Sequence, residues 1–193
     1  MSPTSIFDCS DGTLKKYRGR RKHLADFPSG IDTIGTLLFY GKKSLESVVL
    51  PQGITTIGHF SFMNCTNLKS IVIPPTVSSI GMFAFAGCES LESIVIPDLH
   101  FIGVGIVDGC YNLKTACFPA SYSEEELGIL LCDCRKLEKV ELDNGKEANL
   151  EAIKKKGAKV RRLRAKDIKD GKFVLDKEAW VKIIKMAKQS GKI

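Results

Sequence analysis

Apolar residues return along this chain at fixed positions of a motif that repeats about every 23 residues. Each copy opens on a leucine, carries a second apolar residue three positions later and a third after two more. The last two positions have the period-2 spacing of a short β-strand with one buried face. The three columns are Leu45, Leu68, Leu91, Leu113 and Leu137; Val48, Ile71, Ile94, Ala116 and Val140; and Leu50, Ile73, Ile96, Phe118 and Leu142.

A second set of repeated positions follows each predicted strand. A proline stops the strand, because proline cannot donate the next ladder hydrogen bond, and an isoleucine–glycine pair then marks another turn of the backbone. A phenylalanine follows four residues after most of these glycines, and Val107 takes its place in the fourth copy. The positions are Pro28, Pro51, Pro74, Pro97 and Pro119; Ile34, Ile57, Ile80 and Ile102; and Phe39, Phe62 and Phe85.

The repeat predicts a solenoid, because a fixed period of about 20 to 50 residues is typical of coiled repeat proteins and one copy alone cannot bury its apolar side chains. We expect a right-handed α/β solenoid of about five rungs, one rung per repeat. Parallel strands ~4.8 Å apart should form one side, and irregular or short helical segments the other. A weaker copy at residues 23–35 precedes the first full one.

The pattern LxxIxIPxxVxxIGxxAFxGCxx, which residues 68–90 match almost completely, resembles the BspA-like leucine-rich repeats, also called the Treponema pallidum type. The resemblance covers residues 7–143, since FDCSDGTLKKYRG is similar to the opening segment of such arrays. It implies a curved solenoid with its strands on the concave side, used for protein or surface binding in secreted or surface proteins of bacteria and some protists. We predict an N-terminal capping segment at 1–22, the repeats at 23–143 and a small basic αβ cap at 144–193.

The strands of such a solenoid display the side chains that alternate with the buried ones, and we call this display the concave face. Its predicted partner-binding residues are Ser47, Val49, Ser70, Val72, Ser93, Val95 and Thr115, and the two rows continue into Lys139, Cys117 and Glu141. Three exposed valines in register form an apolar stripe that a partner can cover. The alternative is that valine occurs there for strand propensity alone. No aromatic or basic row suggests sugar or specific nucleic acid, so the expected partner is a protein ligand or a cell-surface protein.

The net charge of +7 comes from the end of the chain. Residues 1–143 carry 13 Lys or Arg against 16 Asp or Glu, whereas residues 144–193 carry 16 against 6. In this tail we predict a short helix ending before Gly157, a strand over AKVRRLR, and a helix capped by Asp176 that packs Trp180 and ends at Gly191. The tail either caps the last rung or also binds an acidic partner, an anionic membrane or nucleic acid. The basic patch for that alternative is Lys154, Lys155, Lys156, Arg161, Arg162 and Arg164.

Cysteines recur with the repeat, three residues before the opening leucine, at Cys65, Cys88, Cys110 and Cys134. A straight ladder of thiols does not converge as a tetrahedral zinc site requires, so we interpret this column as packing residues and expect no metal site. No nucleotide-binding, metalloprotease or hydrolase motif is present, and Ser123 with Glu126 reads as a helix capping box. We therefore expect no catalytic residues and no cofactor, and we predict a non-catalytic protein-interaction module.

The cellular location follows only from what the sequence lacks. Seven cysteines without a visible signal peptide favour reduced thiols. No apolar run approaches the ~20 residues that cross a bilayer. As written, the chain is expected in the cytoplasm, or at the cell surface or secreted if a signal has been removed.

Overall fold

The structure is a computed structural model that describes residues 6–164, 168–169 and 172–173 of the chain. Its repeats form the rungs of a β-solenoid of about six turns. The strands are β1 (Phe7–Ser10), β2 (Thr13–Tyr17), β3 (His23–Leu24), β4 (Thr33–Ile34), β5 (Ser47–Val49), β6 (Thr56–Ile57), β7 (Ser70–Val72), β8 (Ser79–Ile80), β9 (Ser93–Val95), β10 (Phe101–Ile102), β11 (Thr115–Phe118), β12 (Lys139–Leu142), β13 (Ile168–Lys169) and β14 (Lys172–Phe173). The helices are α1 (Glu124–Leu130) and α2 (Leu150–Arg164).

The predicted strand column forms the concave side of the solenoid. Strands β3, β5 and β7 pair in parallel, and so do β9, β11 and β12. Within each sheet the alternating residues are in register, with Val48 opposite Ile71 and Ala116 opposite both Ile94 and Val140. A backbone hydrogen bond links β7 and β9 just before the two strands begin: Glu92 N–H donates to Lys69 O at 3.3 Å. The weak copy at 23–35 supplies β3 and β4 and so contributes a further rung.

A second ladder occupies the opposite side of each rung, where irregular or helical segments were predicted. The order β1-β2-β4-β6-β8-β10 makes one six-stranded sheet. Its strands β4, β6, β8 and β10 each end on the isoleucine of an isoleucine–glycine pair, and the glycine follows directly. The prediction missed it because a two-residue strand is too short to show alternation. The glycines permit close stacking: a Cβ on Gly81 would lie 2.5 Å from His59 N of the previous rung, and one on Gly58 would lie 2.7 Å from Thr36 N.

An antiparallel hairpin of β1 and β2 covers the first edge of this second ladder. Its turn contains Asp11 and Gly12, both with positive φ (52° and 72°), the combination that a type I′ turn requires. Strand β2 pairs with β1 on one side and in parallel with β4 on the other. The hairpin therefore satisfies backbone groups that the first rung would otherwise expose.

The core of the solenoid is built from columns of identical side chains. The rings of Phe39, Phe62 and Phe85 are fully buried and stack along the axis, with centroids 4.8 and 5.5 Å apart. Tyr17 of the hairpin extends the stack, its ring centroid 5.0 Å from that of Phe39, and Val107 occupies the position after Phe85. Stacking of the rungs thus buries aromatic side chains that a single repeat would leave exposed to solvent.

The rung that begins with β11 has α1 in place of a second-ladder strand. The capping box is confirmed: Ser123 is the N-cap residue, its hydroxyl accepts from Glu126 N–H, and the Glu126 carboxylate accepts from Ser123 N–H. After β12 the chain turns back, so that Leu142 N–H donates to Lys146 O and Ala148 N–H donates to Val140 O. This return covers the outer edge of the concave sheet.

Helix α2 corrects the prediction for the tail. A helix ending before Gly157 and a strand over AKVRRLR were expected, but one helix runs through both segments. Gly157 is buried because α2 crosses α1 there: a Cβ on Gly157 would lie 3.2 Å from Gly128 O, and one on Gly128 would meet Lys156 Cβ at 2.5 Å. The predicted helix with Asp176, Trp180 and Gly191 lies outside the described residues.

Candidate functional site on the concave face

The valine row lies open to solvent along the concave face. Val49, Val72 and Val95 are 46%, 55% and 62% exposed, while their strand neighbours Val48 and Ile94 are buried. Val49 lies opposite Val72, and Val95 lies opposite Cys117 in the next strand. This alternation follows from the pleat, which sends successive side chains to opposite faces. The row is an apolar ridge held on hydrogen-bonded strands, and its role in binding stays a prediction.

A row of small hydroxyls runs beside the valines. Ser47 lies opposite Ser70, and Ser93 lies opposite Thr115, which faces Lys139 in the last strand. Ser70, Ser93 and Thr115 are exposed, and Ser47 Oγ lies 2.8 Å from His23 Nδ1 at the N-terminal end. Short side chains leave this strip lower than the ridge of valines.

A column of alternating charge, which was not predicted from the sequence, flanks the hydroxyl row. Each member directly precedes a residue of the hydroxyl row, or the residue at the same repeat position in the first and last rungs. The members are Lys22, Glu46, Lys69, Glu92, Lys114 and Glu138. Each later member donates its backbone N–H to the carbonyl of the one before, at 2.7 to 3.3 Å, so the column is continuous. The sign changes at every rung, a signal that becomes visible only when the repeats are aligned on one another.

Ion pairs link the first three members of this charge column. Lys22 Nζ lies 2.8 Å from one Glu46 carboxylate oxygen, and Lys69 Nζ lies 3.9 Å from the other. The hydrogen bond with Lys22 lowers the pKa of Glu46, and the same bond raises the pKa of Lys22. Exposed pairs of this kind contribute little to stability, so the column matters chiefly as a surface pattern of no net charge.

The concave face ends at its C-terminal rung in an ionic cluster. Lys139 Nζ lies 2.7 Å from Glu141 and 3.1 Å from Glu147, a residue of the returning chain. Cys117 is half-buried beside this cluster, and burial, with Glu141 and Asp143 nearby, raises the pKa of its thiol. The open part of the face therefore spans the four rungs from Ser47 to Thr115.

The predicted cysteine column is confirmed as part of the core. The four thiols are buried and each donates a hydrogen bond to a carbonyl of the preceding rung: Cys65 to Phe39, Cys88 to Phe62, Cys110 to Phe85 and Cys134 to Val107, at 3.0 to 3.4 Å. Burial raises the pKa of every one of them, that of Cys65 to about 12. Thiols protonated at neutral pH are poor nucleophiles and poor metal ligands. Within the described residues, no group of three or more His, Cys, Asp or Glu could hold a metal ion.

The basic patch is divided by the fold. Lys154 and Lys155 are exposed on α2, whereas Lys156 is partly buried and forms an ion pair with Glu125 of α1. Arg161, Arg162 and Arg164 lie in the same helix, and their side chains fall outside the described set. In the part of the chain that the structure describes, no helix is long and apolar enough to span a bilayer.

Comparison with known proteins returns the same architecture. The family described as BspA type Leucine rich repeat region matches residues 32–156 in six copies. A T. pallidum leucine-rich repeat protein is 24% identical with a TM-score of 0.54, over 72% of this chain and 80% of its own. A leucine-rich cell surface protein from Faecalibacterium prausnitzii is 25% identical with a TM-score of 0.60, over 76% of this chain and 38% of its own.

A leucine-rich repeat protein from Eubacterium ventriosum is similar over a comparable region. It is 26% identical with a TM-score of 0.55, over 68% of this chain and 36% of its own. The chain thus spans little more than a third of the length of the F. prausnitzii and E. ventriosum proteins. No curated protein matches the sequence.

Proposed function

Because the chain belongs to the BspA-type leucine-rich repeat family, whose repeats are generally protein-interaction modules, we propose that it is a non-catalytic module that binds a protein through its concave face. The partner is a protein ligand or a cell-surface protein. The observation that carries the proposal is the ridge formed by Val49, Val72 and Val95, exposed on three neighbouring rungs. Apolar side chains exposed on neighbouring strands gain free energy when a partner removes them from water.

The proposal assigns the rest of the chain to supporting roles. Residues 1–22 cap the first rung, residues 23–143 form the binding array, and residues 144–193 cap the last rung. The hairpin of β1 and β2, the returning chain after β12 and the packing of α2 on α1 support these boundaries, because each covers an end of the array. Polar terminal units of this kind keep a solenoid soluble.

The test is a double substitution on the valine ridge, Val72→Asp with Val95→Asp. Affinity capture from the native cell and its surroundings with the wild-type chain identifies the partner, and the variant should lose it because two buried carboxylates would then meet an apolar surface. The matched control is Leu37→Asp, which also places a carboxylate at an exposed apolar site, 52% exposed, but off the concave face. Melting curves of both variants should stay close to that of the wild type. Retention of the partner by the double variant would refute the proposal.

A second candidate function is electrostatic binding by α2, favoured by the exposure of Lys154 and Lys155 on one helix. It predicts affinity for heparin or anionic vesicles that falls steeply with salt. Lys154→Glu with Lys155→Glu should abolish it. The matched control is Lys15→Glu with Lys16→Glu, which changes another exposed pair of neighbouring lysines, on the hairpin. Equal losses in both variants would assign the binding to net charge rather than to α2.

A further inference from the structure

The hydroxyl row is the floor of a shallow lane between two ridges. The valine row forms one ridge and the charge column forms the other, with Ser47, Ser70, Ser93 and Thr115 between them. Glu46 directly precedes β5 and Val49 ends it. The two residues are three apart in nearly extended backbone, so the Cα atoms of the two ridges lie about 10 Å apart at ~3.3 Å per residue. An α-helix with its side chains is about 10 to 12 Å across. The spacing of the ridges is therefore close to the outer diameter of a helix.

The lane also has a defined length. It is open over the four rungs from Ser47 to Thr115, about 14 Å at the spacing of parallel strands. His23 lies against Ser47 at one end, and the ion pairs of Lys139 with Glu141 and Glu147 close the other. At 1.5 Å per residue, a helix that fills this length has about ten residues, close to three turns.

The spacing of the rungs favours a helix over an extended segment along the solenoid axis. Rungs repeat at about 4.8 Å and successive turns of a helix at about 5.4 Å, so three helical turns drift by less than about 2 Å from the three spacings between four rungs. Side chains on one face of an extended strand repeat at about 6.7 Å and drift by about 6 Å over the same distance. Only the helix keeps one apolar side chain beside each valine.

The charge column adds a second requirement, since its sign changes at every rung from Lys22 to Glu138. A segment of uniform charge meets attraction at one rung and repulsion at the next. We propose that the partner contributes an amphipathic α-helix of about three turns that lies in the lane along the solenoid axis. Its apolar stripe packs on the valines, and acidic and basic residues alternate turn by turn along the side that faces the charge column. This inference rests on the proposed function, because it specifies what the concave face binds.

The test uses two synthetic helical peptides of identical composition and net charge. Both carry leucine at one position per turn; in the first, Glu and Lys alternate turn by turn beside it, and in the second they form one acidic and one basic block. Each peptide carries a fluorophore, and anisotropy titrations with the full chain give dissociation constants. The block peptide places two of its charges opposite like charges of the column, and each lost attraction or added repulsion changes the binding constant by about twofold. The alternating peptide should therefore bind at least about fivefold more tightly. The Val72→Asp variant should lose both peptides.

A charge exchange in the protein provides the matched control. Lys69→Glu with Glu92→Lys keeps the net charge but makes the four column members beside the lane, at residues 46, 69, 92 and 114, two acidic residues followed by two basic ones. This variant should bind the block peptide more tightly than the alternating one. The proposal is overturned if neither peptide binds, if the wild type binds both equally, or if the exchange leaves the preference unchanged. The proposed function has a separate readout, the loss of the captured partner on substitution of the valines, so the two fail independently.

Discussion

The ring of Phe62 lies at the centre of the aromatic column and tests whether stacked rungs form the core. Its side chain is fully buried, with the Phe39 centroid 4.8 Å away on one side and the Phe85 centroid 5.5 Å away on the other. Phe62→Ala removes the ring and both stacked pairs. The backbone carbonyl of Phe62 remains to accept the hydrogen bond from the Cys88 thiol, so the effect is one of packing.

The expected loss follows from the number of ring neighbours. Replacing a core phenylalanine by alanine costs about 3 to 5 kcal/mol of the free energy of unfolding. Each stacked pair contributes about 0.5 to 1.5 kcal/mol of that beyond area burial. Phe62→Ala loses two such pairs, so its loss in the free energy of unfolding should be about 5 kcal/mol. Among the described residues Phe85 has one ring neighbour, Phe62, and Val107 follows it in the column, so Phe85→Ala should cost about 1 kcal/mol less.

Urea denaturation followed by far-UV circular dichroism measures these differences. Total stability of a domain is about 5 to 15 kcal/mol, so Phe62→Leu serves as a milder variant that keeps most of the volume and should cost about 1.5 kcal/mol or less. Val72→Ala, at an exposed site, should stay within about 0.5 kcal/mol of the wild type. A loss below about 2 kcal/mol for Phe62→Ala, or a larger loss for Phe85→Ala, would refute the stacked core.

Three further expectations concern other columns of the solenoid. Gly81→Ala should lower the melting temperature more than Gly41→Ala, because its methyl would meet backbone of the previous rung at 2.5 Å, whereas Gly41 faces open space and carries only the strain of φ +66°. Ser61→Ala should leave the free energy of unfolding unchanged or raise it by about 1 kcal/mol, because the buried hydroxyl has no hydrogen-bond partner among the described residues; a clear loss in urea denaturation would contradict this. Burial raises the pKa of Cys88 above its usual 9.0, so the folded state holds the proton to higher pH. The stability that the protonated Cys88 thiol contributes is complete below pH 9 and is lost as pH rises. The melting temperature should therefore fall more steeply from pH 8 to 11 for the wild type than for Cys88→Ala.

The regular part of the fold could be predicted because each rung repeats the same burial. Leu68, Ile71 and Phe62 are apolar at fixed spacings, and the structure buries all three. The exposure of Val72 and Val95 followed from alternation in the strand. The hairpin at the N-terminus was missed although Asp11–Gly12 is a strong signal for a type I′ turn.

Features that depend on contacts between distant residues were harder to predict. Gly157 suggested a helix end, yet α2 continues through it, because Gly157 packs against Gly128 of α1 and a larger side chain would separate the helices. Tertiary packing thus overrides the local preference of glycine for a helix terminus. The charge column was harder to predict than the valine row because its sign changes from rung to rung, so Glu46 and Lys69 do not share a residue type at their common repeat position.

The alternation of charge has a period of two rungs, whereas the fold itself has a period of one. Inserting a single repeat, for example a copy of residues 67–89, would bring a second lysine beside Lys69 and break the sign change. Inserting a tandem pair, such as residues 67–111, would restore it, because Lys69 and Glu92 enter together. Any lengthened version of this array, natural or engineered, should therefore grow in even steps if its surface pattern is to be kept.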